Sequence, residues 1–276
     1  MLYRCEFVLF EQIFVNDSIR IYIVKSIYQK HQLILNNIFR GFQCTPVGCQ
    51  RLEKGLYICN ANVEVPFGSE MYEYDTTSNE WIFKLLTDVE LYVIKKFGIT
   101  VFHGASLCKD RQTVLIMGPR KSGKSTLTHF LIKKGWKLID DDCIYFNGDT
   151  ILGLGFPLKL RKIVFECNSV FASCVDMEGE ARHLITTTDY SQISKLDKIA
   201  IIFPKYIDDC IIEINKISKI KLFTKLLQNV RFSYNEQNSL KDVTRLMRCV
   251  GSGYIIFYSN CTDVECYLEE LLKDEK

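Results

Sequence analysis

The chain has 276 residues, of which 47% are hydrophobic and 25% charged, and these fractions are typical of a globular protein with an apolar core. The formal net charge of +2 at pH 7 gives no reason to expect a nucleic-acid-binding protein. The apolar runs are too short to span a membrane, so we expect no membrane partner either.

The twelve cysteines include no C-x-x-C pair, and the chain has only four histidines, so the spacing required of a zinc site is missing. The first residues, MLYRCEFVLFEQIF, carry Arg4, Glu6 and Glu11 where a secretory signal needs an apolar segment. We therefore expect a cytoplasmic protein whose cysteines are reduced and mostly pack as small hydrophobic residues.

Residues 1 to about 85 alternate short apolar runs with turn residues, a pattern typical of β-strands. The runs are FVLF, IRIYIV, QLILNNIF and GLYICNANVEV, with turns expected near Asn16 and Asp17, Gly48 and Gly68. We predict a β-rich N-terminal lobe over residues 1–90 and regard it as a candidate substrate-binding region. The segment from Asn79 to Lys96 has apolar residues at helical spacing and ends before Gly98, which predicts a helix.

The pattern changes at residue 99. ITVFHGASLC and TVLIMG are predicted strands, STLTHFLIKKG is a predicted helix, and WKLIDDDCIYF is an apolar strand interrupted by aspartates. A Gly/Pro-rich loop, GLGFPLKLRK, and a polar loop, CVDMEGEARHLITTTDYSQ, come next. The remaining segments are the strands KIAIIFPKY, CIIEINKIS and GYIIFYSN and the helices near 219–230, 238–249 and TDVECYLEELLK. This order predicts an α/β nucleotide-binding core over residues 91–276.

The segment GPRKSGKST follows an apolar strand, opens a helix and fits the phosphate-binding loop pattern. A helix start carries unpaired N–H groups and partial positive charge, and the glycines let the backbone wrap around phosphate oxygens. In this pattern Lys124 holds the terminal phosphates and the Ser125 hydroxyl binds Mg²⁺. We therefore predict an ATP or GTP site, with ATP and Mg²⁺ as cofactors, in preference to an ordinary strand–turn–helix. Its residues are Gly118, Pro119, Arg120, Lys121, Ser122, Gly123, Lys124, Ser125 and Thr126.

Three aspartates, Asp140, Asp141 and Asp142, follow the apolar start of a strand. Because neighbouring strand residues point to opposite faces, Asp140 and Asp142 are expected on one face and Asp141 on the other. Such carboxylates can bind Mg²⁺ or accept a proton from an attacking hydroxyl. An acidic turn between two strands is the alternative.

The motifs HGASL, VLIMGPRKSGKSTL and KKGWKLIDDDCIYF together resemble the core of the bacterial HPr kinase/phosphorylase family and its shorter relatives, over roughly residues 80 to 165. The resemblance implies a P-loop kinase core related to phosphoenolpyruvate carboxykinase. It implies that Asp142 is the general base, that Asp141 assists the metal or phosphate, and that His103 lies beside the transferred phosphoryl group. Lys124 would hold the phosphates and Ser125 the Mg²⁺.

The chain also differs from the family pattern. Arg120 and Lys121 replace the usual Ser-Gly, and these two cations either grip phosphates or point to solvent. In PLKLRK, Arg161 matches a family arginine and joins the implied catalytic residues, but Lys159 replaces a metal-binding acid. We therefore expect kinase activity without phosphorylase activity.

Some shorter relatives phosphorylate a serine of a peptide precursor, including lasso-peptide precursors. The resemblance thus implies a peptide or small-protein acceptor with a serine, and it leaves a homo-oligomer open. A kinase for a small hydroxylated metabolite and a P-loop regulator that transfers phosphate to water are the alternatives. An open cleft favours the peptide and a small closed pocket the metabolite.

Two groups of basic residues are harder to interpret. Arg182 and His183 would contact nucleotide or substrate if their polar loop covers the site as a lid, and an exposed loop is the alternative. Lys205, Lys216, Lys219 and Lys221 are expected on a solvated face.

Overall fold

The computed structural model describes residues 6–14, 17–47, 52–59, 66–110, 112–163, 170–176, 178–186, 193–195, 199–233 and 236–271. The turns predicted at Asn16 and Gly48 lie outside these ranges, whereas Gly68, with φ of +79°, lies in a turn as predicted. The cysteines of the described ranges form no disulfides with one another. Among the same residues, no helix is both long and apolar enough to cross a membrane.

The first part of the chain forms a five-stranded sheet with strand order β3-β1-β2-β4-β5 and one helix, α1. Its elements are β1 (Phe7–Phe14), β2 (Asp17–Val24), α1 (Lys25–Ile38), β3 (Gln43–Val47), β4 (Leu56–Cys59) and β5 (Glu70–Glu73). The strands predicted at FVLF and IRIYIV are confirmed. The strand predicted at QLILNNIF is wrong, because this segment belongs to α1, where Ile27, Leu35 and Ile38 are buried at helical spacing.

Helix α2 (Glu80–Phe97) is the predicted helix and ends at Gly98, whose φ of 59° is the left-handed conformation that a helix-terminating glycine adopts. Its side chains, including Trp81 and Leu85, share one apolar cluster with the five-stranded sheet and with residues such as Tyr145. The domain boundary at residue 90 stays a prediction, and it falls within this helix.

A larger ten-stranded sheet follows, with the path β14-β10-β9-β6-β7-β15-β18-β16, while β8 and β17 both pair with β6. Its strands are β6 (Thr100–Lys109), β7 (Gln112–Met117), β8 (Lys137–Asp140), β9 (Cys143–Phe146), β10 (Thr150–Leu152), β14 (Ile193–Lys195), β15 (Ile199–Tyr206), β16 (Glu213–Lys216), β17 (Val230–Phe232) and β18 (Val250–Tyr258). The helices that pack with it are α3 (Lys124–Lys133), α4 (Lys219–Gln228), α5 (Glu236–Cys249) and α6 (Cys261–Leu271). The predicted mixed α/β architecture is therefore confirmed.

Strands β7, β15 and β18 run parallel to one another. Their carboxyl ends therefore meet at one edge of the sheet, the place where open α/β sheets bind ligands. The segment GPRKSGKST leaves β7 at this edge and leads into α3.

A small third sheet, with order β11-β13-β12, lies beside that edge. It consists of β11 (Leu158–Leu160), β12 (Val170–Val175) and β13 (Ala181–Ile185). The polar loop expected over residues 174–192 is thus partly wrong, because β12 and β13 pair as an antiparallel hairpin with an acidic turn that includes Asp176 and residues 178–180.

Candidate active site

The loop after β7 has an unusual backbone. Gly118 and Gly123 have φ of +142° and +95°, and Lys121 has φ of +64°. A side chain at Gly123 would collide with the Tyr258 hydroxyl, so the position needs glycine for space as well as for conformation.

The Lys124 side chain turns back into this loop. Its ammonium donates to the carbonyl oxygens of Gly118 and Pro119, both at 2.9 Å. Burial lowers the pKa of Lys124, and Asp142 and Asp141 act in the opposite direction. The backbone of the loop therefore surrounds the Lys124 ammonium group.

The start of α3 is open to a ligand. Within the described chain, no side chain caps this helix and its first turn holds no acidic residue. The Ser122 hydroxyl is buried without a hydrogen-bond partner among the described residues. Unpaired donors at a helix start, beside a lysine, fit an anion such as a phosphate group.

The three aspartates occupy three different environments. Asp140 is 1% exposed and accepts hydrogen bonds from the N–H groups of Leu154 and Asp141, both at 3.0 Å. Asp141 is 3% exposed and accepts from the Lys159 N–H at 3.2 Å. Burial raises the pKa of Asp140 well above its usual value, and burial with the neighbouring Asp142 raises that of Asp141 to about 6.

Asp142 lies after the end of β8 and has φ of +68°. The expectation that Asp140 and Asp142 share a strand face is therefore wrong, because the chain leaves the extended conformation before the third aspartate. Only Asp142 of the three lines a cleft. The backbone at Asp142 is therefore the acidic turn that the sequence offered as an alternative. Because Asp142 lines a cleft, its carboxylate is still placed where it can contact a ligand.

The Asp142 carboxylate contacts two basic side chains. Its Oδ1 lies 3.4 Å from His103 Nδ1, and its Oδ2 accepts a hydrogen bond from Arg231 Nη1 at 2.9 Å. Burial opposes ionisation, but Lys159, Arg231 and His103 outweigh it and hold the pKa of Asp142 below its usual range. Burial and Lys124 lower the pKa of His103, so a neutral imidazole faces an ionised carboxylate.

A buried ion pair lies beneath this group. Lys159 Nζ is 3.0 Å from Glu90 Oε1, and both side chains are 7% exposed. Burial alone would lower the pKa of Lys159, but Glu90 and Asp142 raise it above its usual value. The pair connects α2 to β11 at the wall of the cleft.

The acidic turn of the β12–β13 hairpin meets the arginines of the site. Arg120 pairs with Glu178, Arg161 Nε lies 2.8 Å from Glu180 Oε2, and Arg182 bonds Asp176. Arg120 is thus exposed, as one of its two expectations had it, and it is held by a carboxylate. His183 instead contacts Ser173 at 3.0 Å, while Arg182 lines the cleft. The acidic turn also places Asp176, Glu178 and Glu180 within reach of one metal ion, but the arginines already pair with these carboxylates.

Two clefts of about 360 and 690 Å³ adjoin one another here, and both volumes lie in the range of small-molecule pockets. The first cleft is lined by residues of the loop after β7 and of the start of α3, and the second is lined by residues at the ends of β15 and α4. The residues that line both are His103, Arg120, Asp142, Glu178 and Arg231. Asp142 therefore stands between the two spaces.

Most of the predicted site residues come together. Those lining the first cleft are His103, Arg120, Lys121, Gly123, Lys124, Ser125, Thr126, Asp142 and Arg161. Gly118 and Pro119 line the second, whereas Ser122 and Asp141 line neither. Glu90 and Arg231 were not predicted, because no local motif marks two residues so distant along the chain. Lys205 is exposed, as expected, and it also lines the second cleft.

No protein-family model and no curated protein matches the chain. One solved structure that aligns with it is the Hpr(Ser) kinase/phosphatase from Coxiella burnetii, which is 13% identical. The alignment covers 63% of this chain and 95% of that protein, with a TM-score of 0.30. Similarity at this level leaves the family of the chain open.

Proposed function

We propose that the protein is an ATP-dependent kinase that transfers the γ-phosphoryl group to a serine hydroxyl of a peptide or small protein. The observation that carries the proposal is the position of Asp142, which lines both adjoining clefts. One cleft contains the loop with the enclosed lysine, and the other has room for an acceptor. A carboxylate between them can take the proton of a hydroxyl that attacks the bound nucleotide.

The first cleft offers the groups that ATP needs. The uncapped start of α3 can donate N–H groups to phosphate oxygens, and Lys124 adds a positive charge beside them. Mg²⁺, when bound, would neutralise phosphate charge, and its preference for oxygen ligands fits the Ser125 hydroxyl, which lines the same cleft. Asp141 would have to give up its bond to the Lys159 N–H before it could act as a ligand.

The chemical step follows from the contacts of Asp142. The acceptor oxygen forms a bond to the γ-phosphorus, the bond from that phosphorus to the β–γ bridging oxygen breaks, and ADP leaves. Asp142 takes the hydroxyl proton, while His103 and Arg231 hold its carboxylate in place. A loose transition state requires little proton removal in advance, so a carboxylate with a lowered pKa is sufficient. Lys124 and Arg231 stabilise the charge on the transferred group.

A peptide acceptor fits better than a small metabolite, because the second cleft is open to solvent rather than enclosed. The sequence resemblance to short HPr-kinase relatives favours a ribosomal peptide precursor of the lasso type. A regulator that hydrolyses ATP transfers the phosphoryl group to water, which does not require a second cleft beside Asp142. These points support the peptide kinase over the two alternatives.

The proposal is tested by intact-mass spectrometry of candidate acceptors. The purified protein is incubated with ATP, Mg²⁺ and the small peptides encoded beside its gene, with parallel reactions lacking ATP or containing a chelator. The proposal predicts a gain of one or more phosphoryl groups on a serine, dependent on both ATP and Mg²⁺. Steady release of phosphate without any acceptor gain would instead favour the hydrolysing regulator.

A further inference from the structure

The second cleft has a basic wall in addition to Gly118 and Pro119 of the loop after β7. The end of β15 contributes Phe203, Pro204 and Lys205, and the last turn of α4 contributes Lys225 and Gln228. The backbone here is fixed to the reaction centre, because the carbonyl of Asn229 accepts a hydrogen bond from the His103 N–H at 2.7 Å. The wall therefore has a defined position relative to the proposed proton acceptor.

The two lysines of this wall differ from five other cations that line the two clefts. Arg120, Arg161, Arg182, Lys159 and Arg231 each pair with a carboxylate. Neither wall lysine has a carboxylate of the described residues within ion-pair distance. Their ammonium groups instead lie over aromatic rings, that of Lys205 over Phe257 at 4.9 Å and that of Lys225 over Phe203 at 4.7 Å.

Like charge is concentrated at this wall. Burial, followed by the charges of Lys205 and Lys221, lowers the pKa of Lys225. The position of Lys225 in the last turn of α4 has a structural explanation, because a cation there offsets the helix dipole. That explanation does not extend to Lys205, which comes from a strand. Two cations without a carboxylate partner in one concave surface are complementary to an anion.

We propose that the second cleft binds an anionic acceptor, in which a carboxylate lies near the phosphorylated serine and is bound by Lys205 and Lys225. This inference rests on the proposed function and names the chemistry of its acceptor: a peptide with acidic residues beside the serine. The aromatic rings beneath the ammonium groups fix the two lysines in place. The carboxylate belongs to acidic side chains or to the end of the peptide.

The test measures binding and transfer separately on four synthetic peptides. One has the sequence Glu-Glu-Ser-Glu-Glu with an amidated end, and a second has glutamine in place of each glutamate. A third has the glutamine sequence with a free terminal carboxylate, and a fourth adds that carboxylate to the glutamate sequence. Fluorescence anisotropy of labelled peptides in the presence of Mg²⁺ and ADP gives Kd, and mass spectrometry with ATP reports transfer.

The double variant Lys205→Gln/Lys225→Gln is compared with Lys216→Gln/Lys219→Gln, which removes the same charge from exposed positions outside the cleft. Wild-type protein is expected to bind at least one carboxylate-bearing peptide about five- to tenfold more tightly than the neutral amide, the size that two partly exposed ion pairs give. The cleft variant should lose this preference and the control variant keep it. The two glutamine peptides show whether the terminal carboxylate is sufficient.

The outcomes separate the two claims. Transfer to serine with equal affinity for neutral and acidic peptides would leave the kinase in place and overturn the anionic acceptor. A carboxylate preference that depends on the two lysines, without transfer to any peptide, would support the anion site and count against the kinase. A preference that survives in the cleft variant would also overturn the site.

Discussion

At the scale of single residues, the site shows how environment separates chemically identical groups. Asp140 and Asp141 are buried and bonded to backbone N–H groups, and burial raises the pKa of both. Asp142 meets His103 and Arg231 and has a lowered pKa. Only the last of the three is an ionised carboxylate that lines both clefts. Sequence alone could not assign these states, because it shows three aspartates in a row.

Gly123 offers a residue-scale prediction. A side chain there meets both the strain of positive φ, roughly 1–2 kcal/mol, and the Tyr258 hydroxyl. We expect Gly123→Ala to lower the free energy of unfolding by the cost of this strain plus at least about 1 kcal/mol for the steric clash. Because the loop must shift to relieve the clash, we also expect ATP to bind more weakly. Urea denaturation and calorimetric titration with ATP measure the two effects.

Gly135→Ala is the matched control, since Gly135 has a similar φ of +86° but open space around the added carbon. In a Tyr258→Phe background, Gly123→Ala should cost about as much as Gly135→Ala does. Equal losses for the two alanine variants in the wild-type background would contradict the steric account.

At the scale of secondary-structure elements, the pair Lys159–Glu90 connects β11 to α2. Removing one member of a buried pair leaves an uncompensated charge and typically costs about 3–5 kcal/mol, whereas apolar replacement of both is close to neutral. We therefore expect Glu90→Leu and Lys159→Met each to be strongly destabilising in urea denaturation. The double variant should recover most of the loss.

The surface pair Lys109–Glu269 is the control for this cycle, with 29% and 45% of the two side chains exposed. Lys109→Met and Glu269→Gln should each change stability by less than about 1 kcal/mol. If Glu90→Leu and Lys159→Met also changed the free energy of unfolding by less than about 1 kcal/mol, the claim that burial makes this ion pair costly to break would be wrong.

Elements with a strong local signal were predictable from sequence. The helix α2, with its terminal Gly98, and the strand–loop–helix around GPRKSGKST lie where periodicity and glycine place them. Helix α1 was missed because QLILNNIF is a short apolar run, and such a run does not distinguish a helix from a strand. The β12–β13 hairpin was missed because its polar residues and its acidic turn have the composition of a loop.

At the scale of the whole molecule, the site depends on contacts between distant parts of the chain. Arg231 reaches Asp142 from β17, and Glu90 reaches Lys159 from α2. Gln12 of the first sheet donates to the carbonyl of Gly153 at 3.0 Å in the buried core. No local pattern encodes such pairings, so the glycine-rich loop of residues 118–123 between β7 and α3 could be predicted from sequence and the second cleft could not.

The central claim is that Asp142 accepts a proton between a nucleotide cleft and an acceptor cleft. The most direct measurement compares ATP affinity and the rate of phosphoryl transfer in Asp142→Asn and in the wild type, with exposed Asp149→Asn as the matched control. We predict a transfer rate about 10²–10⁴-fold lower for Asp142→Asn, with ATP affinity within a few-fold of wild type, and no change in the control. A transfer rate for Asp142→Asn equal to that of the wild type would contradict the account.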